Sequence, residues 1–427
     1  MTEAVEEPAT MQPAKGLPQS LATRIGEIIA SFGKLGLTSF GGPVAHIGYY
    51  RAEFVEKRRW LDDHAFADLV ALCQFLPGPA SSQIVFALGM QRAGVLGALV
   101  ASMCFILPSA LVMIAFAYGV TAIGDLAKAG WLHGLKLAAV AVVAQAVWNM
   151  GRKLCPDRTR ATLCVCAAAA LLTFPGALVQ LGIIIVGAMV GWLFYKSEID
   201  SEAPSPKLGQ TSRQLAAGTA LLIFFVLLIA LPVVVAATES GPLTVFESFY
   251  RSGSLVFGGG HVVLPLLREG VVGNGWVTED QFLAGYGAAQ AVPGPLFTFS
   301  AYLGTVMKSG PGGWSNGVWC LFALFLPGWL LIGGTLPFWH RLRSSRWAQA
   351  ALRGANAAVV GILLAALYDP VFTGGVRNAP DVAAAVVAFC ALQLWKAPSW
   401  LIVLVMAGVG QWLLPASTMK TILQNSG

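Results

Sequence analysis

Long stretches without charge constrain the fold of this chain more than any other feature. No Asp, Glu, Lys or Arg occurs in the ranges 93–124, 137–151, 161–195, 214–238 and 309–339. A membrane-spanning helix needs about 20 mostly apolar residues, which most of these stretches supply. Charged residues make up 11% of the 427 residues, too few to cover the surface of a soluble protein. The sequence therefore predicts an all-α, polytopic integral membrane protein.

Glycine and proline are frequent for such a protein, with 48 and 23 residues. Backbone that is not helical is tolerated at membrane depth only against protein or a water-filled cavity. The strongest interruptions are two Pro-Gly-Pro triplets at 77–79 and 293–295 and two glycine-rich breaks at 40–43 and 257–260. We therefore expect broken or re-entrant helices, with roughly nine full crossings and four broken segments.

The two halves of the chain are repeats. Phe40-Gly41-Gly42 recurs as Phe257-Gly258-Gly259, and Gln74-Phe75-Leu76-Pro77-Gly78-Pro79 recurs as Gln290-Ala291-Val292-Pro293-Gly294-Pro295. A nearly constant offset links these and further pairs of positions. The pattern divides the chain into a disordered cytoplasmic tail (1–20), a first repeat (21–195), a polar linker (196–213), a linking span (214–238) and a second repeat (239–427).

The distribution of basic residues indicates that the repeats are inverted, because Lys and Arg mark cytoplasmic loops. Loops 51–64 and 151–160 hold four basic residues each, whereas their counterparts 268–280 and 369–381 hold one each. The third pair reverses this bias, with one basic residue in 121–133 and four in 339–353. Inverted repeats are a common plan for secondary transporters.

The breaks form the candidate substrate-binding site. Each broken helix exposes unpaired N–H groups and a positive dipole end, which favour an anion. The candidate backbone positions are the glycines of the breaks and triplets, namely Gly41, Gly42, Gly78, Gly258, Gly259 and Gly294. Hydroxyl groups that follow the triplets could donate to oxyanion oxygens, and these belong to Ser81, Ser82 and Thr298.

Two basic residues occupy the same repeat position close to the breaks. Lys34 and Arg251 each lie six residues before the phenylalanine that opens a break. Ionisable residues within membrane segments are functional candidates, and each base could neutralise one charge of an anion. The alternative is a base at a helix end, paired with Glu27 or Glu247.

Histidine and glutamine side chains complete the candidate set. His46 and His261 follow the two glycine-rich breaks and could donate to an anion, carry a proton or be core histidines. Gln74 and Gln290 precede the triplets by three residues and could bind substrate or hold neighbouring helices together.

Enzymatic and metal-dependent functions find little support in the residues. The seven cysteines are scattered, and even Cys164 and Cys166 point away from each other on a helix. No nucleophile–base pair, zinc-ligand spacing or phosphate-binding loop occurs in the sequence. We therefore expect no enzyme activity, no metal site and no cofactor. The basic loops are orientation signals rather than nucleic-acid-binding patches, and the net charge of +6 also suits an anionic substrate.

The motifs resemble the chromate ion transporter family in its long, two-repeat form. The resemblance covers about residues 21 to 415 and rests on four segments, 40–46, 74–79, 257–261 and 290–295. It implies efflux of chromate through the lipid bilayer of the bacterial inner membrane, which would confer chromate resistance.

Alternatives to chromate efflux remain open in the sequence. Transport of sulfate or another tetrahedral oxyanion is the first, because such dianions are close in shape. An intramembrane enzyme is the second, although no catalytic cluster supports it. The sequence also leaves open whether the chain works alone or as a homodimer.

Overall fold

The computed structural model describes residues 20–123, 130–195, 211–257, 260–307, 312–339 and 345–411. These residues form helices joined by turns, and no strand occurs among them. The prediction of an all-α, polytopic membrane protein with two repeats is confirmed. Residues 1–19 of the predicted tail and 196–210 of the predicted linker lie outside the described residues, as do Gly258 and Gly259.

The first repeat contains helices of very different lengths. They are α1 (Leu21–Thr38), α2 (Gly42–Tyr50) with a π-helical extension (Arg51–Lys57), α3 (Asp63–Phe75), α4 (Ala80–Ile123), α5 (Gly130–Leu154), α6 (Arg158–Thr173) and α7 (Ala177–Tyr195). Helix α4 is two helices joined at Ala93 and Gly94, where Gly94 has a φ of 66°. Helix α8 (Thr211–Thr238) links this repeat to the second.

The second repeat follows the same order. Its helices are α9 (Gly241–Ser254), α10 (Val263–Val271), α11 (Glu279–Ala289), α12 (Phe299–Val306), α13 (Gly313–Thr335), α14 (Arg346–Ala366), α15 (Ala379–Gln393) and α16 (Ser399–Gln411). Helices α3 and α11 occupy equivalent positions and begin alike, because the side chains of Asp62 and Thr278 each accept an N–H of the first turn.

Six described helices are long and apolar enough to cross a membrane, namely α4, α5, α7, α8, α13 and α14. The sequence predicted roughly nine full crossings, and the uncharged stretches also contain shorter helices. Helix α6 has 16 residues and α15 has 15, while α16 also falls below 18. Sequence hydropathy located all of them, but their length is below that of a typical span.

Helix α3 and the first part of α4 form a re-entrant hairpin. At its start, the Arg51 guanidinium lies 2.8 Å from the Asp63 carboxylate. At its end, Arg92 lies over the ring of Trp60 at 5.4 Å and pairs with Glu27 of α1. Both ends of the hairpin therefore lie at the same end of the molecule, which we call face A. The Pro-Gly-Pro triplet at 77–79 is its inner tip.

Helices α11 and α12 form the equivalent hairpin at the opposite end, face B. The Tyr302 hydroxyl of α12 donates to the Gln281 carbonyl of α11 at 2.9 Å, so the chain doubles back. Helix α4 ends and helix α13 begins at face B. A 3.0 Å hydrogen bond from the Trp314 N–H to the Tyr118 hydroxyl joins these two helix ends. Helix α9 also begins there, since Trp319 donates to the Pro242 carbonyl. The repeats thus begin at opposite faces.

Glycine contacts interlock the repeats. Helix α14 of the second repeat packs on α6 and α7 of the first, and α5 of the first packs on α15 and α16 of the second. At these crossings the Gly354 backbone touches α7, and the Gly134 backbone touches α16. A Cβ atom on Gly134 would lie 2.8 Å from the Ala407 Cα, and one on Gly354 would lie 2.6 Å from the Gly191 Cα. Small residues permit such close backbone approach in membranes.

The close contacts between helices at Gly134 and Gly354 generate a stability prediction. Gly134→Leu and Gly354→Leu should each lower the free energy of unfolding by about 1–3 kcal/mol, because a side chain must separate two backbones. The measurement is the temperature at which detergent-solubilised protein aggregates. Gly218→Leu in α8 is the matched control, since a Cβ there meets nothing within 4 Å. Equal transition temperatures for all three variants would contradict the packing argument.

The inverted repeats generate a labelling prediction. In a cysteine-free variant, a cysteine in loop 51–64 should react with a membrane-impermeant maleimide from the cytoplasmic side. A cysteine in loop 268–280 should react from the other side, because the two loops lie at faces A and B. The comparison uses inside-out and right-side-out vesicles. Reaction of both cysteines from one side would rule out this topology.

Candidate anion-binding site

Two backbone hydrogen bonds join the breaks of one repeat to the triplets of the other. The Gly78 N–H donates to the Val256 carbonyl at 2.7 Å, and the Gly294 N–H donates to the Ser39 carbonyl at 2.8 Å. Ser39 directly precedes the first break, and Val256 directly precedes the second. Each triplet therefore closes on the break of the other repeat, and the described parts of all four segments meet in one region.

Glycine is required at the centre of both triplets. Gly78 and Gly294 have φ angles of 120° and 99°, in the region that side chains disfavour. A Cβ atom on Gly78 would lie 3.3 Å from the Gly328 Cα, and one on Gly294 would lie 2.8 Å from the Ser109 Oγ. The N–H groups of both glycines already donate to carbonyls of the other repeat. They therefore hold the backbone of the site in position and are not free to bind a ligand.

His46 lies beside the second of these hydrogen bonds, because it contacts the same Ser39 carbonyl that accepts from Gly294. Its side chain is buried, and its Nε2 lies 3.2 Å from the Ser39 carbonyl oxygen. A carbonyl only accepts, so Nε2 carries the proton and Nδ1 is an acceptor unless the ring is charged. Within the described part of the chain, His46 Nδ1 and the Ser39 hydroxyl are buried without a hydrogen-bond partner. Both atoms are available to a ligand or to water.

The residues after the two triplets differ in their free donors. Ser81 and Ser82 are buried in the first turn of α4, and the Ser82 hydroxyl has no partner among the described residues. The equivalent Thr298 hydroxyl donates to the Pro295 carbonyl at 2.9 Å, and Ser300 bonds within its own turn in the same way. The first triplet therefore offers an unused donor that the second lacks.

A second polar group surrounds the other break. His261 Nδ1 lies 2.7 Å from the Tyr286 hydroxyl. The Gln290 carbonyl accepts from the Ser399 hydroxyl at 3.2 Å, whereas its side-chain Nε2 is buried without a partner in the described residues. The turn 260–262 that carries His261 packs against the turn 296–298 after the second triplet. The two polar groups are therefore neighbours.

Lys34, Gln74 and Arg251 lie apart from this buried centre. Lys34 and Gln74 are exposed on α1 and α3, and Gly41 is exposed where α2 begins. The Arg251 guanidinium lies 2.9 Å from the Glu247 carboxylate, which matches the paired alternative left open in the sequence. Gly42 starts α2 with a φ of 74°.

Sequence reasoning missed several polar residues. Ser39 and Ser109 carry no motif, and their roles follow from contacts with the opposite repeat. Lys136 and His133 of α5 pair with acids of the second repeat, and their spacing of three residues at the edge of an uncharged stretch was an available signal. Among the described residues, no three His, Cys, Asp or Glu side chains are grouped as metal ligands require.

Comparisons with known proteins identify the family. The sequence profile of the family described as "Chromate transporter" matches residues 26–192 and again residues 243–411. A chromate transport protein of Pseudomonas aeruginosa is 30% identical over 410 residues, which cover 91% of this chain and 92% of that protein. A chromate transport protein of Cupriavidus metallidurans is 26% identical and covers 86% of this chain and 87% of its own length. No solved structure matches this chain. Both repeats match the profile and together span most of the chain, so this protein belongs to the chromate transporter family.

Proposed function

We propose that this protein is a secondary transporter that exports chromate across the bacterial inner membrane and thereby confers chromate resistance. The observation that carries the proposal is the meeting of four broken segments, two from each repeat, through reciprocal backbone hydrogen bonds. Relatives of nearly full length are named as chromate transport proteins. Sulfate or another tetrahedral oxyanion is the alternative substrate.

The chemistry of the buried centre suits an oxyanion. A fully ionised tetrahedral dianion accepts hydrogen bonds and donates none. The centre supplies buried donors without partners in the described residues, including the Ser82 hydroxyl, the Ser39 hydroxyl and the Gln290 amide. A protonated His46 would add one more donor together with a positive charge. Helix α4 restarts directly after the first triplet, and its dipole adds positive potential at Ser81 and Ser82.

Membrane energetics favour export. Moving one charge across 100 mV is worth about 2.3 kcal/mol, so a dianion that leaves a negative-inside cell gains roughly twice that. Basic loops at face A support a cytoplasmic position for this face by the positive-inside rule, and the N-terminal helix α1 begins there. Lys34 is exposed on α1, where its charge would attract an anion that arrives from face A.

Alternating access follows from the way the repeats are joined. Each triplet contributes to the environment of the other repeat's break, so a rotation of one repeat against the other changes both halves of the site together. Transporters with inverted repeats commonly expose a fixed site to alternate sides by such a movement.

Transport by everted membrane vesicles tests the proposal. Vesicles that contain the protein should accumulate chromate in a saturable manner, and cells that express it should accumulate less chromate than cells without it. Adding sulfate, molybdate or phosphate as competitors measures selectivity. Sulfate accumulation without chromate accumulation would assign the alternative substrate. Chemical conversion of chromate without movement would instead support an enzyme.

The triplet glycines provide one prediction. Gly78→Leu and Gly294→Leu should abolish chromate transport, because a side chain at either position collides with the opposite repeat and distorts the adjacent half-helix. Transport rates are compared at equal protein levels in the membrane. Gly275→Leu is the matched control, since Gly275 also has a positive φ but a Cβ there meets nothing within 4 Å. Normal transport by either triplet variant would place the site elsewhere.

The two bases provide another prediction. Lys34→Gln should weaken the apparent affinity for chromate severalfold, whereas Arg158→Gln at the start of α6 should leave it unchanged. Arg251→Gln removes the partner of Glu247, so it is compared with the double variant that also carries Glu247→Gln. We expect weakened transport in both, because we propose that the Arg251 charge, like that of Lys34, attracts the anion towards the buried centre from outside it. Full recovery in the double variant would make Arg251 a structural residue.

A further inference from the structure

The equivalent hairpin helices α3 and α11 differ in exposure. Residues 282–289 of α11 are all buried. Helix α3 instead exposes one side along its whole length, from Asp63 and His64 at face A through Ala67 and Ala71 to Gln74. These positions are spaced by three or four residues, so they form a single stripe on the helix. The stripe ends three residues before the first triplet.

The exposed stripe of α3 has the composition of a water-facing surface. Its members are polar or small. Helix α8 shows what lipid exposure looks like in this protein, with Leu215 at 77%, Ile229 at 69% and Val233 at 67% exposure. Polar side chains at membrane depth face protein or a water-filled cavity. Lys34 of α1 is exposed as well, seven residues before Gly41 of the first break.

Two polar pairs join the repeats at face B. The Lys136 ammonium of α5 pairs with the Asp280 carboxylate in the first turn of α11. His133, one turn earlier on α5, lies 3.0 Å from the Asp381 carboxylate in the first turn of α15. His133, Lys136 and Asp381 are buried, with side-chain exposures of 3%, 3% and 0%. One helix of the first repeat thus holds two helices of the second.

Both acids are anchored where they lie. Asp381 also accepts the N–H of Arg377 at 2.9 Å, and each carboxylate lies at a helix N-terminus whose dipole favours negative charge. Loss of Asp280 leaves the buried Lys136 charge without compensation, whereas the Asp280 side chain itself is 40% exposed. The two pairs therefore hold α5 against α11 and α15, which both start at face B.

The equivalent positions at face A carry different chemistry. Arg353 and Asn356 of α14 occupy the positions of His133 and Lys136, and His64 of α3 occupies that of Asp280. His64 lies 3.5 Å from Asp68 on its own helix, and the neighbouring Asp63 pairs with Arg51 of its own repeat. These polar pairs at the outer end of the first-repeat hairpin therefore lie within one repeat.

We infer that the structure is the state open to face A, and that Lys136–Asp280 and His133–Asp381 are the lock that closes face B. The inference rests on the proposed transport function and adds the residues that control access from face B. Helix α11 leads from Asp280 at face B to Gln290 and the second triplet. Releasing Asp280 from Lys136 frees the outer end of that helix, which opens a path to the buried centre.

Chemical labelling tests the lock without any substrate. Cysteines replace Gln74 and Gln290 one at a time in a cysteine-free variant, with reference cysteines at Arg59 for face A and Gly275 for face B. With the lock intact, the cysteine at 74 should react with an impermeant maleimide from face A, and the one at 290 should be protected from face B. If the cysteine at 74 is protected from face A, the structure is not open to face A. A second copy of the chain that covers α3 would give this result.

Charge exchange then identifies the lock residues. Lys136→Gln and Asp280→Asn should each increase the labelling rate at position 290 from face B on the order of tenfold. The exchanged pair Lys136→Asp with Asp280→Lys should restore protection. Arg51→Gln is the matched control, since it removes an ion pair that lies within one repeat at face A. Unchanged labelling in both single variants at normal membrane levels overturns the proposal.

A covalent lock keeps the proposal testable if the charge variants fail to fold. Cysteines at 133 and 381 replace the polar pair, and a bifunctional methanethiosulfonate reagent that links them should hold face B closed and abolish transport until a reductant cleaves the link. Cross-linked protein that transports chromate as fast as the same variant without the cross-link overturns the lock. Failure of the proposed function looks different, because the labelling pattern would persist in a protein that moves no chromate.

Discussion

Paired backbone groups are the constraint on which this structure depends. Four breaks in the helices release N–H and carbonyl groups inside a membrane protein, where an unpaired group costs several kcal/mol. The reciprocal bonds from Gly78 to Val256 and from Gly294 to Ser39 pair these groups across the repeats. Each repeat therefore completes the backbone of the other, and the same bonds gather the polar side chains around one centre. Glycine at both triplets follows from the close approach that these bonds impose.

Much of the fold could be predicted from the sequence, because uncharged stretches, repeated motifs and basic loops are local signals. The contacts could not. The repeat offset relates equivalent positions such as Gly78 and Gly294, whereas the hydrogen bonds join unlike positions such as Gly78 and Val256. The packing of α14 on α6 and α7 likewise leaves no periodic trace, apart from small residues that also occur elsewhere. Helix α15 is shorter than a typical span, and hydropathy alone does not show whether such a helix crosses the membrane.

The candidate site was predicted more completely in position than in chemistry. Equivalent residues have different surroundings: the Ser82 hydroxyl has no partner among the described residues, whereas that of Thr298 bonds to its own turn. Lys34 is exposed while Arg251 is paired with Glu247. The repeated motifs show only what the two repeats have in common. In one conformation of the protein, equivalent residues of the two repeats have different neighbours. The spacing of His133 and Lys136 was a signal in the sequence, but it does not identify their partners, because pairs such as His133 and Asp381 form only in the folded chain.

The interlocked helices also have a consequence for biogenesis. Helices α6 and α7 pack mainly on α14, which begins at Arg346, about 150 residues after α7 ends. At synthesis rates of about 5–20 residues per second, α7 waits roughly 8–30 s for that partner to leave the ribosome. During this interval the backbone surface at Gly187 and Gly191 faces lipid or the insertion machinery instead of α14. The first repeat must therefore remain in the membrane as an incomplete bundle, open to a membrane chaperone, until the second repeat is made.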